Sequence, residues 1–167
     1  MSERSPAPGG LALVESLVNT VDLESGADAL DTAEGRARFG IAEAELAQAR
    51  ELRESLRVAL LAHAGHPPHR TVTPLGELLA AAPLLLTVAA ADGSATLTPA
   101  DARPLLSRVA AAVAESLVAG TWTRLKACEA VDCHWAYYDR SPAGRGRWCS
   151  MQVCGARAKM RRYRARG

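Results

Sequence analysis

The sequence predicts a mainly α protein in two unlike parts. Residues 1–121 read as a helical N-terminal domain with one small β-hairpin, and residues 122–167 as a short C-terminal module ending in a basic helix. Three observations predict this. Apolar residues recur at helical spacing through most of the first 120 positions. The charge changes sign: residues 1–121 hold 9 Lys/Arg against 15 Asp/Glu, net −6, and residues 122–167 hold 11 against 3, net +8. All four cysteines and six of the seven aromatics (Trp122, Trp135, Tyr137, Tyr138, Trp148, Tyr163) lie in the short part, with only Phe39 outside it. The long part must therefore build its core from Leu, Val and Ala, and the boundary is placed near Gly120. A chain of 167 residues suits one domain plus a small module.

The elements follow in order. Residues 1–10 are polar and rich in Pro and Gly, and are expected to fray. Leu11, Val14, Leu17 and Val18 mark a first helix ending near Thr20–Asp22. Thr32 caps a short second helix that runs toward Phe39 and stops at Gly40. Ala42 to Ala64 is the clearest helix. Leu46, Ala49, Leu52, Leu56, Ala59, Leu60 and His63 share one face, and Glu43, Glu45, Glu51 and Glu54 read as its solvated side. Gly65, Pro67 and Pro68 end it. Thr73-Pro74 opens a helix over Leu75–Ala82, with Thr73 as cap. The run from Leu84 to Ala91, then Asp92-Gly93, then Ser94 to Leu97 reads as a hairpin around a strong turn dipeptide. Thr98 caps and Pro99 starts the last helix of this part. Asp101 lies in its first turn, Leu105, Val109, Ala112, Val113 and Leu117 form its apolar series, and Gly120 stops it.

The cysteines are spaced Cys128-x4-Cys133-x15-Cys149-x4-Cys154. Two close pairs separated by a medium loop deliver four thiolates to one tetrahedral ion, and an ion with four protein ligands has no open position for a substrate. The spacing therefore predicts one structural Zn2+ held by Cys128, Cys133, Cys149 and Cys154, with zinc preferred over iron. Metal also answers an energetic need, since a module this small has few aliphatic residues. Disulfides are the alternative in a secreted chain. The N-terminus has no secretory pattern, and the longest apolar run, Ala80 to Ala91, is broken by Pro83 and Thr87 and falls short of a membrane span. A reducing, cytoplasmic setting is expected. His134 is expected beside the site or in solvent, and Asp139 is considered as an orienting group for a ligand or the loop. His63, His66 and His69 straddle Pro67-Pro68 without nearby cysteines and read as loop histidines. No Ser-His-Asp arrangement, Walker loop or dinucleotide glycine pattern is visible, so the chain reads as a non-enzyme.

These residues carry a resemblance. Cys128-x4-Cys133, Tyr138-Asp139-Arg140-Ser141, Arg147-Trp148-Cys149-Ser150-Met151 and Cys154-Gly155-Ala156-Arg157-Ala158-Lys159 together resemble the CGNR zinc-finger family. Upstream, Leu17-Val18-Asn19-Thr20 and Arg50-Glu51-Leu52-Arg53 look like the ABATE domain that accompanies such fingers. The resemblance implies a helical domain, a zinc-binding C-terminal module and a stress-related transcription regulator. In one respect the chain departs from the pattern: Ala156 stands where the family has Asn, so any hydrogen bond of that side chain is lost, while Cys154 and Arg157 remain.

Residues after Cys149 read as a helix to Arg166, with Val153, Ala156, Met160 and Tyr163 forming an apolar stripe expected to pack on the zinc core or the helical domain. Arg157, Arg161 and Arg164 line one flank; Lys159, Arg162 and Arg166 line the other. With Arg145 and Arg147 in the preceding loop, they suit phosphate contacts, and arginine forks also suit guanine edges. Trp148 and Trp135 are assigned mainly to the core of the module, with base stacking as the alternative. DNA is thus the expected partner. RNA and an acidic protein surface are the alternatives, and a small-molecule effector or homodimerisation is the expected business of the helical domain.

Overall fold

The computed structural model of the chain describes residues 5–165. Arg166 lies outside the described residues.

Helix α1 (Leu11–Val18) forms where its spacing predicts, and Leu11, Val14, Leu17 and Val18 are all buried. The segment ahead of it is pinned rather than frayed: Ala7 is buried and donates its N–H to the Glu15 carboxylate at 2.6 Å, and Arg140 donates to the Ser5 and Pro6 carbonyls. Helix α2 (Ala33–Ala37) is capped by the Thr32 hydroxyl, which accepts from the Gly35 N–H at 3.0 Å. Gly35 is required there, because a Cβ would stand 1.8 Å from the Ala29 carbonyl oxygen. Helix α3 (Leu46–His63) is the axis of the fold, with Ala49, Leu52, Leu56, Leu60 and Leu61 turned into the core.

Helix α4 (Leu75–Leu79) is shorter than the sequence suggests. Pro74 rather than Thr73 occupies its cap position. Strands β1 (Leu84–Val88) and β2 (Ala95–Pro99) pair antiparallel, with Leu84 opposite Pro99 and Val88 opposite Ala95. Thr98 and Pro99 therefore end a strand and do not start a helix. The ladder claims Thr98, and Pro99 sits at a strand end where its missing N–H matters least. Asp101 accepts from the Arg103 N–H and guanidinium in the connecting loop, and α5 (Leu105–Val118) begins only after Pro104.

The C-terminal module opens with a 3₁₀ turn, Trp122–Arg124, and a small antiparallel ladder of β3 (Leu125–Ala127) and β4 (Ala136–Tyr138). A wide π turn, Met151–Gly155, runs directly into α6 (Ala156–Arg164). The main core does not stop at the expected boundary. Leu125, Ala127 and Ala136 belong to the same apolar cluster as α1, α3, α5, Phe39 and Ile41, with Trp122 and Tyr138 packed against it. A second, smaller cluster forms around the cysteines. Each fully buried aliphatic side chain contributes about 1.5–3 kcal/mol, so the first ladder of the module is stabilised chiefly by the helical domain.

The polar side of α3 is not solvated throughout. Arg53, Glu54 and Arg57 are buried, because the 20–28 loop, the 66–73 loop and the C-terminal module cover that side. Burial of charge is tolerated only with partners. Arg53 spans both Asp28 carboxylate oxygens at 2.8 Å and donates to Glu54 at 2.9 Å. Glu54 also takes Arg57 Nε at 3.1 Å and faces His69 Nε2 at 3.0 Å. Burial raises the Glu54 pKa, but the bond from His69 and the charges of Arg57 and Arg53 outweigh it and hold the carboxyl at about 2.

Candidate metal centre

Cys128 follows β3 directly. The chain then folds into a tight knuckle in which the Ala130 carbonyl accepts from the N–H groups of Cys133 (2.9 Å) and His134 (3.0 Å). His134 has φ 43, a left-handed conformation rare for a residue other than glycine, and it returns the chain into β4. The Cys128 N–H meets the Trp135 carbonyl at 3.0 Å, closing the knuckle on the ladder.

The second pair arrives through a loop shaped by Asp139. Its buried carboxylate accepts from Lys126 Nζ (2.9 Å), the Ser141 N–H (3.0 Å) and the Gly146 N–H (2.7 Å). Although burial opposes ionisation, these bonds hold the carboxyl well below the usual range. The Glu129 N–H donates to the Arg147 carbonyl at 3.0 Å, which lays Cys149 beside the knuckle. The π turn carrying Cys154 is capped by the Ser150 hydroxyl, which accepts from the Val153 N–H at 3.3 Å. Gly155 seats this turn against the indole: a Cβ there would stand 3.0 Å from the Met151 sulfur and 3.3 Å from Trp148 Cδ1.

The four Sγ atoms converge within 4.8 Å of one another, with Cys133 to Cys149 at 3.6 Å and Cys149 to Cys154 at 3.7 Å. None is in a disulfide. Sulfurs held ~2.3 Å from a tetrahedral ion stand about 3.8 Å apart, so the arrangement fits zinc. The protonation pattern points the same way. Thiol hydrogen bonds from Cys133 and Cys149 bring Cys128 down to about 2, and Cys133, bonded to that thiolate, is pushed up to about 12. Cys149 is also raised, chiefly by its bond to Cys128, and Cys154 by burial. Thiolates crowded this closely repel one another, and a bound cation relieves that repulsion and favours their ionised form. When bound, zinc supplies a cross-link between the knuckle and the π turn.

The comparisons with known proteins agree with this geometry. Residues 124–167 match the CGNR zinc finger model, and residues 11–120 match the ABATE model, whose family is described as "putative stress-induced transcription regulator". The chain belongs to the ABATE family and carries a CGNR zinc finger. No curated relative matches it. The four cysteines of the finger form the metal centre that their spacing predicts.

His134 is not aimed at the metal position, since its Nδ1 is engaged with the Cys128 carbonyl at 2.9 Å. The three spaced histidines form no metal group among the described residues; His66 and His69 lie in the loop as expected, His63 ends α3, and all three are partly buried. They line the seam between the ABATE domain and the finger. His63 Nδ1 lies 2.8 Å from the Leu125 carbonyl and edge-on to Trp122, His66 faces Glu129 at 3.8 Å, and His69 meets Glu54. Desolvation lowers the His63 pKa.

Sequence reasoning missed the two side chains that clasp the knuckle. Arg57, fully buried, donates to the His134 carbonyl (2.8 Å) and the Val18 carbonyl (2.7 Å). Asn19 bonds Ala136 reciprocally, accepting its N–H at 2.7 Å and donating to its carbonyl at 2.9 Å. Asn19 lies in the Leu17–Thr20 run and Arg57 next to the Arg50–Arg53 run. Their polarity within largely apolar or helical surroundings was the available signal.

The structure divides the candidate basic residues. Glu129 holds Arg147 through two bonds, one of 2.6 Å, while the Arg147 guanidinium lies over Trp148 at 5.6 Å. Glu24 holds Arg157 at 3.2 Å, with Asp132 at 4.0 Å. Arg145, Lys159, Arg161, Arg162 and Arg164 are exposed and form no ion pair among the described residues. Trp148 packs on the cysteine cluster as expected, whereas Trp135 is 37% exposed. The expected packing of the apolar stripe is overturned. Val153, Ala156, Met160 and Tyr163 are exposed, and the one buried residue of α6 is Ala158. The helix leaves the π turn as a projecting arm, with its small side against the protein.

Proposed function

We propose that this protein is a DNA-binding transcription regulator whose zinc finger presents α6 and the Arg145 loop to the duplex. The observation that carries the reading is the set of cations left without acidic partners among the described residues, all but Arg145 on a helix whose base carries the cysteine ligands. Arg145, Lys159, Arg161, Arg162 and Arg164 are free to neutralise phosphates, whereas Arg147 and Arg157 are engaged within the protein. The surrounding ABATE domain supplies rigidity through Arg57 and Asn19. The protein works in the cytoplasm, where thiols stay reduced and available to zinc. Its chemistry is binding and not catalysis.

A titration of randomised duplex DNA with zinc-loaded protein at several salt concentrations, beside Cys149→Ser, tests the reading. Five phosphate contacts give a log–log salt slope of about −4.5, and Cys149→Ser abolishes saturable binding. A folded, zinc-replete protein that binds no duplex at low salt overturns it. The finger would then be a docking element for RNA or an acidic protein.

The ABATE domain is the place for regulation by a small molecule. A cavity of about 220 Å³ lies between α3 and α5, lined by Ile41, Gln48, Leu52, Leu105 and Ser107 with Glu45 at its rim. An apolar ligand with one donor for Glu45 suits it. A ligand screen by melting temperature, with the exposed lining residue changed by Gln48→Trp to fill the cavity, tests this role.

A further inference from the structure

The outward face of α6 combines two properties that a phosphate-binding helix alone does not need. Met160 is 51% exposed and Tyr163 77% exposed, with Val153 of the π turn 48% exposed. On a helix of 3.6 residues per turn, Met160 and Tyr163 lie roughly 140 to 160° around from Ala158, the side that faces the protein. The apolar residues therefore point away from the body. Cations border them on both sides: Lys159 on one, Arg161 and Arg164 on the other. No acidic residue occurs in Ala156–Arg164.

We infer that Met160 and Tyr163 read the 5-methyl groups of pyrimidines on the floor of the DNA major groove, giving the protein a preference for thymine-containing sites. The inference rests on the DNA-binding reading above and extends it from affinity to sequence choice. A duplex groove matches this face in charge and in shape. Two phosphate strands border a major groove ≈ 12 Å wide that admits one helix, and the thymine methyl is the apolar group displayed on its floor. Cations on both flanks meet the two strands, and the stripe between them meets the floor. At nine residues, α6 is about 13 Å long, which crosses a groove but presents too little apolar area for firm insertion in a lipid surface. Leaving Met160 and Tyr163 exposed to water has no structural benefit in the free protein, whereas burying them against methyl groups on binding is favourable.

Two duplex pools decide the matter, identical in random A·T-rich sequence, one made with thymine and the other with uracil, which differ only in the 5-methyl group. Full-length zinc-loaded protein is titrated against each, beside a Met160→Ser, Tyr163→Ser double variant. Both positions are exposed, so the variant keeps its fold and its zinc, which is checked by circular dichroism and metal content. The expected result is binding weaker by about fourfold for each methyl contacted in the uracil pool, with an unchanged salt slope, and no difference between pools for the variant. A G·C pool gains affinity when cytosine is replaced by 5-methylcytosine. Equal binding of the wild-type protein to thymine and uracil pools overturns the inference and leaves the DNA-binding reading standing. Binding to neither pool overturns both, and capture by phosphatidylglycerol vesicles in that case assigns the face to an anionic lipid surface.

Discussion

Arg57, in the middle of the central helix, donates a hydrogen bond to the carbonyl of His134, the residue directly after the zinc-ligating Cys133. The same guanidinium reaches the Val18 carbonyl at the end of α1 and the Glu54 carboxylate one turn away. A single fully buried side chain thus joins two helices and the metal knuckle, and it holds His134 in its left-handed conformation.

Replacement of Arg57 by Met is expected to cost about 3–5 kcal/mol, because it leaves the Glu54 charge and the His134 and Val18 carbonyls buried with fewer partners. Urea unfolding of the zinc-loaded protein measures this. The same variant loses zinc to a chelator faster than the wild type, although no ligand has changed. An unchanged zinc release rate would show that the knuckle is held by the metal alone.

Glu54→Gln is expected to destabilise by several kcal/mol at pH 7, since Arg53 and Arg57 lose a shared counter-charge. The effect depends on pH in a defined direction. The Glu54 carboxyl titrates at about 2 in the folded protein against 4.5 ordinarily. The depressed value means the folded state favours the ionised form. The stabilisation is full above pH 4.5 and is lost as the pH falls toward 2. Unfolding free energies of wild type and Glu54→Gln therefore converge across that window. Because Glu54 holds Arg57 against the knuckle, metal content is followed at each pH and only points of equal zinc occupancy are compared.

Zinc removal is expected to lower the melting temperature of the whole chain, not only of the finger. Leu125, Ala127 and Ala136 belong to the main core, so loosening β3 and β4 opens a surface of α3. Calorimetry of the zinc-loaded protein should show one transition, shifted down by at least about 5 °C on chelation, which corresponds to roughly 1–3 kcal/mol for a chain of this size. Two transitions, the larger one unmoved by chelator, would contradict this coupling.

Asn19→Ala is expected to cost about 1–3 kcal/mol, since the Ala136 N–H and carbonyl both lose their side-chain partner at the seam. Asn19→Asp keeps the acceptor for the N–H but replaces the donor facing the carbonyl. At neutral pH its ionised carboxylate faces the Ala136 carbonyl, so it should lie closer to Asn19→Ala than to wild type. Thermal melts at pH 7 order the three proteins.

The readable parts of this sequence were those fixed by neighbours in the chain. The cysteine spacing gave the metal centre because each pair is closed by a local knuckle or turn. The apolar spacing of α1 and α3 gave their buried faces, and that of α5 all but its end, where Leu117 is exposed, because a helix repeats within a few residues. What escaped was decided across long stretches of sequence. Glu54 and Arg57 look like solvated charges until residues 18, 69 and 134 cover them. Thr98-Pro99 has the chemistry of a helix start, yet pairing with residues near Leu84 makes it a strand end. Met160 and Tyr163 form the stripe that their spacing predicts, but nothing in the spacing reveals that the stripe faces away from the protein.

Of the nine residues of α6, only Ala158 is buried. The direction of the helix is fixed upstream, by the capped π turn and the cysteines, so its other side chains owe little to folding and folding owes little to them. Foldability and recognition are therefore written in separate letters of the same segment. On the DNA-binding reading proposed above, the outward positions of α6 can be rewritten to change what is recognised without a new way to fold being needed.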